Sequence, residues 1–377
     1  MMQSLFASFQ SPKLTLKNRI AMAPMTRSFS VGNVPNAEVV EYYRKRAAGG
    51  TGLIITEGTC VDHEAAHGFQ AVPNFYGDDA LAGWSKVVKA VHTEGGKIAP
   101  QLWHVGAVRA PGDYPGGQLS AYSPSGLAAP GAPTGKKMTE SDVADVIEAF
   151  ASAAENAKAI GMDAIELHGA HGYLIDQFFW TGTNQRTDKY GGDLQSRSLF
   201  ALEMLAAIRA RVGEDYPIIF RYSQWKQQDY GARLVETPEA LESFLGPLSD
   251  AGVDIFHCSQ RRFWDPEFEG SDLNLAGWTK KLTGKPAISV GSVGLDQDFI
   301  ADVKEGFKSA HSVGIDKLEE LLARGDFDLI AVGRALIANP DWPRLIETGQ
   351  SDKLVDFSKD MLYSLDGAET LFTMGKN

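Results

Sequence analysis

Apolar positions along this chain alternate between two rhythms. Short runs of aliphatic and β-branched residues, read as strands, recur at Arg19–Ala23, Leu53–Glu57, Ile98–Trp103, Ala164–His168, Ile218–Tyr222, Ile255–Ser259, Ala287–Val290 and Leu329–Val332. Between the later runs, apolar residues return every three or four positions, as on a helix with one buried face. The clearest such stretch spans Thr139 to Ile160, with Val143, Val146, Ile147, Phe150, Ala154 and Ala157 at helical spacing. Thr139 is placed to cap its start, with Asp142 three residues on, and Gly161 stops it.

The joints from helix to strand share one grammar: Gly49-Gly50-Thr51-Gly52, Gly95-Gly96, Gly161-Met162-Asp163, Gly252-Val253-Asp254 and Gly325-Asp326-Phe327-Asp328. Repeated helix–Gly–strand units imply a parallel sheet with helical crossovers. Eight of them predict an α/β fold: a single (β/α)8 TIM barrel over residues 1–377, with its active site at the C-terminal ends of the strands. A doubly wound sheet would want a Gly-x-Gly-x-x-Gly turn after a strand, and none is present. Nor is there a Walker A loop, since Gly135-Lys136-Lys137 lacks the upstream Gly. The one long irregular stretch, Gly106–Lys137, follows the third strand and is expected to form a lid over the site.

Polar groups gather at the expected strand ends: Thr26, Glu57-Gly58, Gln101, His168, Arg221, Gly291-Ser292 and Gly333-Arg334. The densest chemistry is His168-Gly169-Ala170-His171-Gly172-Tyr173, with two imidazoles and a phenol in six residues. Such a group can donate hydrogen bonds to one oxygen while a third member delivers a proton to a nearby carbon. That suits reduction of a polarised double bond, and the hydride must then come from a redox cofactor, because side chains cannot supply it.

Charge and composition narrow the partners. A net charge of -12 argues against nucleic acid or an anionic membrane as the main partner. No apolar run approaches the roughly 18 residues of a membrane span, and the first residues lack a secretory apolar core. Cys60 and Cys258 are too few for a disulfide framework, a zinc site or an iron–sulfur cluster, so a reduced, cytoplasmic setting is expected. A metal-dependent barrel hydrolase is the main rival, but His168 and His171 lack a convincing third and fourth ligand, and no metal is expected.

These residues together carry a resemblance. Asn18–Arg27 (Asn-Arg-Ile-Ala-Met-Ala-Pro-Met-Thr-Arg), Gln101-Leu102-Trp103, the His-Gly-Ala-His-Gly-Tyr cluster, Asn184–Gly192 and Gly333–Pro340 resemble the old yellow enzyme family of FMN-dependent ene-reductases. The bacterial branch of N-ethylmaleimide reductases and nitrate-ester degraders is the most similar. The resemblance implies one non-covalent FMN, with NADPH or NADH as reductant. Ala23, Pro24, Met25, Thr26, Gly58, Gln101 and His168 would contact the flavin ring, and Arg221 would sit by its N1 and C2 carbonyl. The phosphate would rest near Gly291, Ser292 and Gly333, with Arg334 as counter-charge.

In this reading His168 and His171 hold a substrate oxygen, Tyr173 donates the proton, and Trp103 forms pocket wall. Turnover would be ping-pong, with hydride passing through flavin N5 to α,β-unsaturated carbonyl, nitro or maleimide compounds; nitrate esters and other xenobiotics are the alternative substrates. The protein would act as a monomer or homodimer. Two loops depart from the family, Ser223–Gln228 and Gln260–Asp265, and so does the tail from Tyr363. The loops are candidates for setting substrate and nicotinamide preference.

Overall fold

The computed structural model describes residues 3–109, 112, 114–297 and 310–366. Eight parallel strands close into a barrel: β1 (Ile20–Met22), β2 (Leu53–Cys60), β3 (Lys97–Trp103), β4 (Ile165–His171), β5 (Ile218–Lys226), β6 (Ile255–Ser259), β7 (Ala287–Val290) and β8 (Leu329–Val332). Each strand pairs with its sequence neighbour, and β8 returns to β1, so the expected (β/α)8 barrel is present.

Alternation along the strands builds two cores. On β8, Leu329 and Ala331 point into the barrel while Ile330 and Val332 pack against the surrounding helices. The interior is filled by Leu53, Ile55, Ile219, Ile255, Ile288 and Leu329, and Phe9, Leu14 and Leu16 join it from an N-terminal hairpin. Its other members include Ala21, Ala23, Ala99 and Ala331, whose small side chains leave space toward the strand C-termini.

β6, β7 and β8 end where the apolar pattern ends. β2, β4 and β5 instead run on to Cys60, His171 and Lys226, past the predicted Glu57, His168 and Tyr222. Most of the added residues are glycines and polar groups, and the register against the next strand shifts between Ile55 and Gly58 and between Gly169 and His171. The hydrogen-bond ladder continues there although the apolar pattern has stopped. Ser223–Lys226, expected as loop, is therefore the last part of β5.

The predicted helix forms over Glu140–Ala159 with a complete capping box: Thr139 accepts from the Asp142 amide, and the Asp142 carboxylate accepts from the Thr139 amide. Between Gly106 and Lys137 the chain makes two small two-stranded sheets. The Arg186 guanidinium fastens this excursion to the body through the carbonyls of Pro124 and Met138, and is itself paired with Asp188. Among the described residues, no helix is long and apolar enough to cross a membrane.

Candidate active site

A cavity of about 500 Å³ opens at the C-terminal ends of the strands. Its walls bring together every candidate from the strand ends except Glu57 and Gly58. A Cβ on Gly58 would collide with the Trp103 ring, so this glycine makes room for the indole, and it is not among the residues lining the cavity. Glu57 works from behind: its carboxyl accepts from the amides of Arg27 (3.0 Å) and Ser28 (3.1 Å), fixing the turn that follows Thr26. Burial pushes this carboxyl up to about 7. None of the described residues of Gly106–Lys137 lines the cavity.

At one end, the backbone of Gly291 and Ser292 leaves β7 in left-handed conformations, φ 130° and 53°. A side chain on Gly291 would strike the Arg261 backbone at 2.7 Å, so glycine is required by space as well as by conformation. Gly333 and Arg334 follow β8 on the same wall, and the Arg334 guanidinium lies over the Phe357 ring.

Arg221 on β5 sits between this end and the histidines. It is 7 % exposed, its Nε is buried without a hydrogen-bond partner, and among the described residues no carboxylate lies within ion-pair distance. Neither Glu57 nor Glu166 pairs with it directly. Glu166 instead accepts from Gln101 Nε2 at 2.7 Å and from His257 Nδ1 at 2.6 Å. A buried guanidinium with no paired anion is costly, so the cavity is built to receive negative charge.

His168, His171 and Tyr173 form the opposite wall. The two imidazoles stand edge to face at 5.1 Å, and Tyr173 lies 4.9 Å from both His168 and Trp103. Burial, with Arg221 adding repulsion, drives both imidazoles well below the ordinary histidine range, so they are neutral donors. Burial raises the Tyr173 phenol, with the Gln227 side chain and Arg221 opposing, so it holds its proton. His171 Nε2 lies 2.6 Å from Ser259 Oγ, so an incoming oxygen would share that nitrogen with the serine. The ring is further held by stacking on Trp225 at 4.5 Å, and its backbone is strained at φ 65°.

A buried ion pair holds the turn in place. Lys226 Nζ meets Asp176 Oδ1 at 2.6 Å, both fully buried, while Asp176 Oδ2 accepts from the Gly172 amide at 2.7 Å. The end of β5 is thereby tied to the turn that carries Tyr173.

The sequence missed several residues on the wall. Phe69 follows β2 and stacks on Trp103 at 5.6 Å, with 38 % of its surface exposed. Ser259, the last residue of a correctly predicted strand, carried a positional signal. Trp225, Gln227 and Arg261 lie in the two segments singled out as unusual, the first of them at the end of β5. Phe357 and Leu362, just ahead of the atypical tail, also line the cavity, and no local pattern marks them. This segment and the start of the tail are held by Arg27, whose guanidinium donates to the carbonyls of Met361 and Ser364.

Residues 4–308 match the model of the NADH:flavin oxidoreductase / NADH oxidase family. The chain is 35% identical over 361 residues to an NADH oxidase of Thermoanaerobacter brockii, covering 93% of this chain and 52% of that protein. It thus spans about half the length of that relative. It is 32% identical over 357 residues to 12-oxophytodienoate reductase 7 of Oryza sativa subsp. japonica, covering 89% and 86%. Among solved structures, morphinone reductase in complex with tetrahydroNAD is similar at TM-score 0.80 and 30% identity, covering 98% of this chain and 96% of the other. An old yellow enzyme homologue from Zymomonas mobilis is similar at TM-score 0.80 and 25% identity, covering 97% and 99%. A barrel with this cavity, matched by one family model and by relatives along nearly its whole length, belongs to the old yellow enzyme family of FMN-dependent oxidoreductases.

Proposed function

We propose that the protein is an NAD(P)H-dependent ene-reductase, reducing activated C=C bonds of α,β-unsaturated carbonyl and nitro compounds. One observation carries this reading: a protonated phenol and two neutral imidazoles share a cavity wall with an unpaired, buried Arg221.

The cavity fits FMN. Ala23–Thr26 and Gln101 would meet the ring, Arg221 would balance its charge, and Gly291, Ser292, Gly333 and Arg334 would hold the phosphate. When bound, FMN supplies the hydride exchange between nicotinamide and substrate that no side chain performs. His168 and His171 donate hydrogen bonds to the carbonyl or nitro oxygen, polarising the double bond without adding charge to the site. Tyr173 gives its phenolic proton to the carbon next to that group. Trp103 and Phe69 form an apolar wall that keeps water from the reacting carbons. We assign ping-pong order because nicotinamide and alkene would claim the same space.

The test is direct. Purified protein should be yellow, release FMN on heating, lose its visible absorbance with NADPH or NADH, and regain it with cyclohexenone or N-ethylmaleimide. Bleaching without recovery on any such alkene would remove the ene-reductase reading and leave only the coarser one. Nitrate esters belong in the same panel as the second reading.

A further inference from the structure

Charge within the cavity exceeds what the flavin reading uses. Three arginines, Arg221, Arg261 and Arg334, are among its lining residues, and among the described residues no carboxylate lines it. Arg221 and Arg334 are taken by the flavin ring and phosphate in the reading above; Arg261 is left over.

Arg261 follows β6 by two residues. Its backbone lies against Gly291, and Ser292 Oγ donates to its carbonyl at 3.2 Å. Its side chain leaves that neighbourhood: the guanidinium donates to the carbonyl of Tyr230, in the loop after β5. The Tyr230 ring touches Trp225 at 5.6 Å, and Trp225 stacks on His171. The charge is therefore anchored at the rim on the side of the histidines. Its residue is exposed, and the Tyr230 carbonyl is its one side-chain partner among the described residues. Arg262 next to it has Asp265 at 3.9 Å, whereas Arg261 has no acidic partner among the described residues. The chain carries 48 acidic residues against 36 Lys and Arg, so the lack of an acidic neighbour is not for want of supply. A planar fork held by one backbone bond, on an exposed residue that lines a ligand cavity, suits a phosphate or carboxylate.

We propose that Arg261 forms an anion subsite at the cavity rim, receiving an oxyanion carried by the molecule that sits above the flavin. The subsite rests on the flavin reading. Two sources offer that chemistry: a phosphate of the nicotinamide dinucleotide, or a carboxylate on the alkene.

Arg261→Gln and Arg261→Lys holoenzymes distinguish them. The readouts are dissociation constants for FMN and for unreactive tetrahydro analogues of NADH and NADPH, together with KM for a carboxylate-bearing cyclohexenone and its methyl ester. Loss of a charged hydrogen bond at an exposed site should weaken at least one anionic ligand about tenfold in R261Q. The ester should change several-fold less, the loss should shrink at high salt, and R261K should recover part of it. Weakening of the NADPH analogue alone identifies the 2′-phosphate, and equal weakening of both analogues the pyrophosphate. A selective loss on the acid identifies the alkene carboxylate. Equal effects on acid and ester with no change for either analogue, or no effect at all, would overturn the subsite. So would a rise in FMN dissociation alone, which would give Arg261 to the flavin phosphate. Wild-type protein that binds no FMN would overturn the flavin reading itself, and this inference with it.

Discussion

Glu166 accepts a hydrogen bond from Gln101 inside the barrel, with Nε2 and Oε1 2.7 Å apart and both residues buried. The second carboxylate oxygen is taken by His257. Because the carboxylate can only accept here, the amide nitrogen of Gln101 must face it, and the amide oxygen is turned elsewhere. The orientation of a cavity residue is thus decided one layer below the cavity. Glu166→Gln should let that amide turn over and weaken FMN binding about 10- to 100-fold, the range for losing a charged hydrogen bond. Quenching of FMN fluorescence on titration measures it; an unchanged dissociation constant would mean Gln101 is oriented by something else.

Tyr173→Phe should slow reduction of enones by about 10² to 10⁴, the usual loss when a general acid is removed. Bleaching by nicotinamide should be nearly untouched, since the phenol is needed only when carbon takes a proton. Stopped-flow traces of the two half-reactions separate these outcomes. Equal losses in both would make Tyr173 a packing residue.

Lys226→Met should destabilise the fold by about 3–5 kcal/mol, because it strands Asp176 as a buried, unpaired acid. Thermal unfolding would register this as a fall in Tm. The double substitution Lys226→Met with Asp176→Leu should recover part of the loss. A single variant as stable as the parent would show that Asp176 escapes by taking up a proton cheaply.

Glu57 sets a pH dependence whose sign follows from its environment. Burial raises its folded-state value to about 7, above an ordinary 4.5. The stability it contributes is fully present below about pH 4.5 and is lost as pH climbs through 7. Glu57→Gln cannot ionise, so it should gain on the parent between pH 5 and 8, by on the order of 3 kcal/mol at most. Paired unfolding curves across that range are the check; a constant offset between the two proteins would mean Glu57 does not titrate there.

Where burial alone dictates residue type, the chain was readable. The bounds of β6, β7 and β8 follow from Ile-Phe-His-Cys-Ser, Ala-Ile-Ser-Val and Leu-Ile-Ala-Val, and the helix capped by Thr139 follows from spacing and one hydrogen-bonding side chain. Legibility failed at the ends of β2, β4 and β5, where side chains answer to the cavity and no longer to the core. His168, His171, Tyr173 and Arg221 could be found there because their chemistry is rare and clustered. Phe69, Phe357 and Leu362 could not, since a lone apolar residue in a loop looks the same whether it walls a cavity or fills a core. The Glu166–His257 contact joins residues 91 positions apart and leaves no trace in local pattern.

The hairpin bearing Phe9, Leu14 and Leu16 has a consequence for traffic. By packing into the interior with Leu53, Ile219 and Ile288, it closes the lower end of the barrel as a stopper closes a flask. Among the described residues, that leaves the approach from the strand C-termini, where Phe69, Trp225 and Arg261 are among the lining residues. A visitor must therefore leave by the route it came in, and no second molecule can push it out from behind. Crowding that approach with either reactant should keep the other waiting outside, so an excess of nicotinamide would slow turnover, and more alkene would relieve it.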